Sequence, residues 1–148
     1  MHTFTEEQVN SFRKLSDYLL SGKLKAKFNM NTLAYDHDRR SLLPMAVNSL
    51  NIACGCALGY GPLAGVITTD VINWSRYSIK YFGCNSLTLT MAEPLNDDTW
   101  LWCFSGGWYI NDNTPEGAGK RIRWLLEHDF MLPEDHLRQR HGLAPLCY

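Results

Sequence analysis

Five cysteines, a run of carboxylates, a glycine-rich turn and a crowd of aromatic rings are the groups in this chain with types and spacing suited to chemistry. Cys54 and Cys56 are separated by one residue; Cys84, Cys103 and Cys147 stand further along. Structural zinc usually wants two close pairs, each with about two to four residues between the cysteines. Only one close pair exists here, and its spacer is too short. Small thiols buried in a Gly/Ala-rich segment explain the pair better, so no metal ligand is assigned. A cysteine nucleophile would need a base, and His37, His128, His136 and His141 are available in the sequence. No local signature surrounds any of the five thiols, and buried, inert cysteines are the simpler account.

Phosphate binding is the chemistry that Gly55 to Gly65 invites. The segment lacks the Gly-Lys-Ser/Thr ending and no clear strand precedes it. Gly59, Gly61 and Gly65 are better read as a tight turn and a close packing contact. Asp97, Asp98, Asp112 and Glu116 fall in the stretch from Met91 to Gly117, which has no Lys or Arg. Paired carboxylates can act as acid and base or hold a divalent cation. Asp112 and Glu116, however, flank Thr114-Pro115, where a helix dipole alone accounts for them. No catalytic residue is assigned.

The aromatic residues give the sharpest site. Trp100, Trp102, Phe104, Trp108 and Tyr109 crowd one short segment. They supply core area, yet so short a segment cannot turn every ring inward. At about 100° per residue, Trp124 turns away from Ala118 and Ile122, toward Lys120 and Arg121. A tryptophan among cations is hot-spot composition for a protein interface and can also stack on a base. The plainer alternative packs Trp124 under the aromatic loop. Trp108, Tyr109, Lys120, Arg121 and Trp124 form the expected partner-binding set. A wider basic patch with Arg123, Arg138 and Arg140 is not assigned, because Glu127, Asp129, Glu134 and Asp135 interleave with it.

Several elements position these groups. Thr5 and Gln8 have capping-box spacing, with Glu6 and Glu7 in the first turn. Val9, Phe12, Leu15, Leu19 and Leu20 share a helix face, and Gly22 stops the helix. Lys23, Lys25 and Lys27 alternate along a solvated connector, and Phe28 to Arg40 reads as loop. The uncharged stretch from Ser41 to Thr69 reads as a buried helix over Ala46 to Leu58 followed by a break at Gly59. Asp70 opens a further helix with Trp74, Tyr77 and Tyr81 on one face and Gly83 at its end. Leu87, Leu89 and Met91 alternate as a short strand, and Asp97 to Trp102 forms a helical turn. Thr114-Pro115 starts a helix with Ala118, Ile122, Leu125 and Leu126 inward. Pro133 begins a final helix carrying Leu137, Arg138 and Arg140.

Composition bounds the rest. The 148 residues suit one domain able to fold without disulfides or metal. An apolar fraction of 45% with 20% charged residues excludes wholesale disorder. A net charge of -1 provides no general pull toward nucleic acid or membrane. The uncharged stretch carries too many Pro, Gly and Asn residues for a lipid-exposed span. An odd cysteine count and an opening segment without a basic start or apolar run point to reduced thiols and the cytoplasm.

Three segments also carry a resemblance. They are Cys54-Gly55-Cys56-Ala57-Leu58-Gly59-Tyr60-Gly61-Pro62, the aromatic segment Trp100 to Trp108, and Asp112-Asn113-Thr114-Pro115-Glu116-Gly117-Ala118 with Arg121-Ile122-Arg123 after it. Their order and spacing resemble a group of small proteins encoded by tailed phages, prophages and some bacteria, most of which carry no assigned activity. The likeness spans roughly Leu50 to Leu126, and its most specific part is the Asn113-Thr114-Pro115 helix start. Members often read Cys-Gly-Thr before the later cysteine and place His after the following glycine. Here those positions are Asn51-Ile52-Ala53 and Tyr60. Two members of any Cys/His constellation are therefore missing. The resemblance implies a viral or mobile-element origin and an accessory protein that acts on host machinery.

The expected fold is a mainly α single domain over residues 1–148, with a short β-hairpin between Leu87 and Trp108. Its core centres on Phe12, Leu15, Leu19, Ala46 to Leu58, Ile122, Leu125 and part of the aromatic cluster. The expected function is that of a non-enzymatic phage accessory protein, without cofactor, that binds and inhibits a host protein complex. An anti-CRISPR or anti-restriction factor in the host cytoplasm fits that description. The partner is a protein rather than a membrane or nucleic acid, and near-zero net charge also permits self-association. The alternatives are a nucleotide- or small-molecule-binding protein, with its pocket between the aromatic segment and Gly59 to Gly65, and a cryptic metal-dependent hydrolase.

Overall fold

The computed structural model describes residues 4–84 and 97–134. Helix α1, Glu6–Leu20, starts where the capping box places it. The Thr5 hydroxyl accepts the Gln8 N–H at 3.1 Å, and Gln8 Oε1 accepts the Thr5 N–H at 3.0 Å. Phe12, Leu15 and Leu19 are fully buried, with Val9 and Leu20 half-buried beside them. Ser11 and Ser16 share the buried face because their hydroxyls donate back to the Glu7 and Arg13 carbonyls, each at 3.0 Å. Past the Ser21 cap, Gly22 takes the left-handed conformation at φ 74°.

The next segment departs from expectation twice. Residues expected as loop contribute strands β1, Lys27–Phe28, and β2, Ala34–Asp36. The helix expected over Ala46 to Leu58 is absent: a single 3-10 turn at Pro44–Ala46 is followed by strand β3, Ile52–Gly55. The asparagines explain the change. Asn48 Oδ1 accepts the Leu50 and Asn51 N–H groups at 2.9 and 3.0 Å, while Asn51 Nδ2 donates to the Ala46 carbonyl at 2.6 Å. Side chains that satisfy nearby backbone groups in this way compete with helix formation. Within this stretch Val47 and the residues from Ile52 onward contribute to the core, whereas Ala46, Asn48, Ser49 and Leu50 are exposed.

The sheet order is β1-β3-β2, with β3 parallel to β1 and antiparallel to β2. Lys27, Cys54 and Tyr35 stand in one row across it. The turn after β3 is packed tightly. A Cβ at Gly59 would collide with the Leu33 carbonyl, and one at Gly61 with the Tyr77 hydroxyl.

Helix α2, Trp74–Phe82, begins at Asn73, whose Oδ1 accepts the Arg76 N–H at 2.9 Å. Asp70, expected as its start, instead pairs with Lys80 at 2.7 Å. Gly83 ends the helix at φ 63° as expected, and Trp74 and Tyr77 are buried, with Tyr81 half-buried. Helix α3, Asp97–Phe104, is longer than the anticipated turn. One turn of helix, α4, Trp108–Asn111, precedes α5, Pro115–Glu127. Helix α5 packs along α1, where Gly119 lies so near Leu20 that an added Cβ would come within 2.6 Å of its Cγ. Phe12, Phe82 and Phe104 join α1, α2 and α3, with the Phe12–Phe82 and Phe82–Phe104 rings 5.0 and 5.3 Å apart.

The described residues are thus mainly helical with one small sheet, located away from the expected hairpin. The strand over Leu87 to Met91, the final helix carrying Leu137, Arg138 and Arg140, and Cys147 lie outside the described residues. No described helix is long and apolar enough to cross a membrane.

The glycine contacts lead to a stability test. Gly59→Ala is expected to lower the unfolding free energy by about 1–3 kcal/mol, the usual cost of overpacking. Gly106→Ala meets nothing nearer than 3.5 Å and should change denaturant stability far less.

Candidate functional site

The start of α5 builds the site. Thr114 accepts the Gly117 N–H at 2.9 Å and donates its own hydroxyl proton to Asp112 Oδ1 at 2.8 Å. Pro115 occupies the first turn, where a missing N–H is tolerated. Asn113 Oδ1 accepts the Met30 N–H at 2.6 Å, tying this helix start to the segment just after β1.

Asp112 is then placed to meet Arg121. Its Oδ2 lies 3.4 Å from Arg121 Nη1, and the guanidinium carbon sits 4.0 Å from the centre of the Trp108 ring. Trp102 donates its indole N–H to the Arg121 carbonyl at 2.7 Å and meets Trp108 edge to face at 5.6 Å. Trp108 donates to the Leu101 carbonyl at 3.0 Å. Arg121 thereby connects α3, α4 and α5.

Its burial corrects the sequence reading, which placed Arg121 on the surface. The residue is 6% exposed, and Arg121 Nε and Nη2 have no hydrogen-bond partner among the described residues. Burial lowers the guanidinium pKa, and the Asp112 carboxylate opposes that shift. A sequence signal existed: Ala118, Arg121, Ile122 and Leu125 follow the spacing of a buried helix stripe.

Of the five expected contact residues, Trp108 and Arg121 face one another, whereas Tyr109, Lys120 and Trp124 reach solvent. Tyr109 is 50% exposed and Trp124 37%. The Trp124 ring stacks on His128 with centroids 3.7 Å apart and donates to the Met131 carbonyl at 3.1 Å. Ile110 was missed. It is 84% exposed on α4, and its only sequence signal is an apolar side chain between the aromatic run and the Asn111-Asp112 turn.

The thiols of Cys56, Cys84 and Cys103 are poor nucleophiles. Cys54, Cys56, Cys84 and Cys103 are all buried and unpaired with one another. Burial pushes the Cys56 thiol up to about 11, and it also raises Cys84 and Cys103. Attack requires the thiolate, which these environments disfavour. Cys84 donates to the Phe82 carbonyl at 3.2 Å, and Cys56 accepts the Gly59 N–H at 3.4 Å. The His128 ring nitrogen Nδ1 is engaged with the Trp124 carbonyl at 2.8 Å. Among the described residues, no group of three or more His, Cys, Asp or Glu side chains could hold a metal ion. Gly59 and Gly61, at the start of the Gly59 to Gly65 segment, pack closely against Leu33 and Tyr77.

Comparison of the chain with protein-family models, curated proteins and solved structures finds no match.

Two outcomes are expected from this geometry. Asp112→Asn should lower stability by about 1–2 kcal/mol, less than for a fully buried pair because the carboxylate is 43% exposed. The loss should shrink when Arg121 is already Met, which a double-mutant cycle in urea reads directly. In thiol labelling at pH 8 followed by peptide mass mapping, Cys54, Cys56, Cys84 and Cys103 should stay unmodified in the native protein and react in denaturant.

Proposed function

We propose that this protein works by binding a partner protein through α4 and the outward side of α5. Ile110 carries this reading: it is 84% exposed, beside a half-exposed Tyr109, on a helical turn fixed from below by Trp108 stacked on Arg121. Apolar and aromatic side chains already held in place lose little conformational freedom on binding, so they suit the energetic centre of an interface. Trp124 lies three residues beyond Arg121, about 60° around the helix, and Lys120 is one turn before Trp124. Tyr109, Ile110, Lys120 and Trp124 form the contact set, with Trp108 and Arg121 as its support. The buried, protonated thiols favour binding over covalent catalysis.

The resemblance to phage-encoded proteins supports a further step. The partner is a host protein complex, the protein blocks it, and defence machinery of the CRISPR or restriction type is the target class.

Affinity capture from a bacterial host lysate tests this reading. Tagged wild-type protein should recover one complex in stoichiometric amount, identified by mass spectrometry. Ile110→Asp and Trp124→Ala, each with helical circular dichroism preserved, should reduce recovery at least tenfold. Equal recovery by both variants would remove α4 and α5 as the contact surface. Folded wild-type protein that retains no stoichiometric partner would overturn the binding reading.

A further inference from the structure

The small sheet has a second feature that the contact surface does not use. Because β1 and β3 are parallel and β2 is antiparallel, the starts of β1 and β3 and the end of β2 meet at one end of the sheet. The opposite end leads to Met30 and its bond with Asn113. At the first end lies an open groove of 470 Å³, lined in part by Lys25, Lys27, Tyr35, His37, Arg39 and Ser49. That volume falls within the range of small-molecule sites.

We propose that this groove binds a small organic ligand carrying two or more phosphate groups. Its charge supports the assignment. Lys25, Lys27 and Arg39 bring three cations into the lining, and none forms an ion pair among the described residues. Asp36 is the carboxylate in the lining, and it is already engaged. Its Oδ1 accepts the Asp38 and Arg40 N–H groups, each at 2.9 Å, and its Oδ2 accepts Arg40 Nε at 3.2 Å. The groove is therefore locally positive in a chain whose net charge is -1.

Backbone geometry delivers the cations. Lys27 begins β1 and Lys25 precedes it across a bend at Ala26, and both line the groove. Arg39 sits at φ 60° in a turn closed by bonds from Arg39 N–H to the Asp36 carbonyl and from Asp36 N–H to the Arg40 carbonyl, at 3.0 and 2.9 Å. A non-glycine residue persists in that conformation where its surroundings over-determine it. Strands β1 and β2 flank β3, so Lys27 and Tyr35 stand two strand spacings apart, roughly 10 Å. Cations thus approach a ligand from β1 and from the turn after β2.

The remaining lining selects the ligand class. Ser49 supplies a hydroxyl donor, while half-buried Ala53 and the Tyr35 ring offer apolar surface to the organic part. A nucleic-acid strand would extend beyond the groove over a chain without general positive charge, which favours a compact phosphate ester.

Isothermal titration calorimetry on the full chain at low salt tests the proposal with ATP, pyrophosphate, adenosine and a short single-stranded DNA as probes. ATP should bind with a submillimolar Kd and pyrophosphate more weakly, with no heat from adenosine. Lys27→Gln should weaken ATP at least tenfold. So should Arg39→Gly, a change that keeps the left-handed turn and removes the guanidinium. Lys80→Ala, a cation outside the groove, should leave binding unchanged. The proposal is overturned if ATP gives no heat at millimolar concentration with folded protein, or if Lys80→Ala weakens it as much as Lys27→Gln does. Tighter binding of the DNA than of ATP, with the same dependence on Lys27 and Arg39, would also overturn it in favour of a nucleic-acid surface.

Discussion

Residues 54–61 are all buried, and much of the remaining structure serves their backbone. Buried N–H and C=O groups need partners. Strands β1 and β2 supply them on both sides of β3. Beyond the strand, the Cys56 N–H reaches the Leu33 carbonyl at 3.0 Å, and the Gly55 carbonyl accepts the Asn29 N–H at 3.0 Å. The turn then closes on itself, with Tyr60 bonded back to Cys56 and Gly61 to Leu58. Two aromatic hydroxyls complete the arrangement: Tyr60 donates to the Lys27 carbonyl at 2.7 Å and Tyr77 to the Val66 carbonyl at 2.5 Å. So close an approach of main chain to main chain leaves no room for a side chain at residue 59.

This constraint also shows where sequence reasoning succeeds and where it stops. Four helix ends were legible because a residue's own chemistry caps or stops the adjacent backbone, whereas the Asn73 cap of α2 was passed over for Asp70. Thr5, Thr114, Gly22 and Gly83 all occupy the positions that chemistry implies. The stretch from Ala46 to Leu58 was not legible, because an uncharged apolar run has no polar face to reveal its period. Its partners, β1 and β2, are short and contain Lys27 and Asp36, so their pairing depends on β3 rather than on their own propensity. Asn48 and Asn51 were the local evidence against helix. Within the candidate site, Trp124 and Tyr109 were placed correctly in solvent, while Arg121 was judged by its charge rather than by its place in the buried stripe.

Arg121 differs from the apolar core around Phe12 and Phe82 in what it contributes. Burying a guanidinium with two donor atoms unpartnered among the described residues is energetically unfavourable compared with an apolar side chain of similar size. What it provides is direction. A planar cation against the Trp108 face, with Asp112 at one side, fixes the orientation of α4 in a way that aliphatic packing would not. The polar contact thus sets the geometry of the exposed Tyr109 and Ile110, while the aromatic core supplies cohesion.

The pairing of α1 with α5 has a consequence for the history of each molecule. The two helices pack together although about a hundred residues separate them, and Gly119 makes their approach close. A ribosome produces α1 long before α5. During that interval Phe12, Leu15 and Leu19 have no α5 to cover them, and a lone helix of 15 residues is marginal in water. Closing so long a loop also slows the search for the final arrangement. The nascent chain therefore carries an apolar stripe without its α5 cover until residue 115 and beyond have emerged, a natural substrate for the chaperones that wait at the exit tunnel.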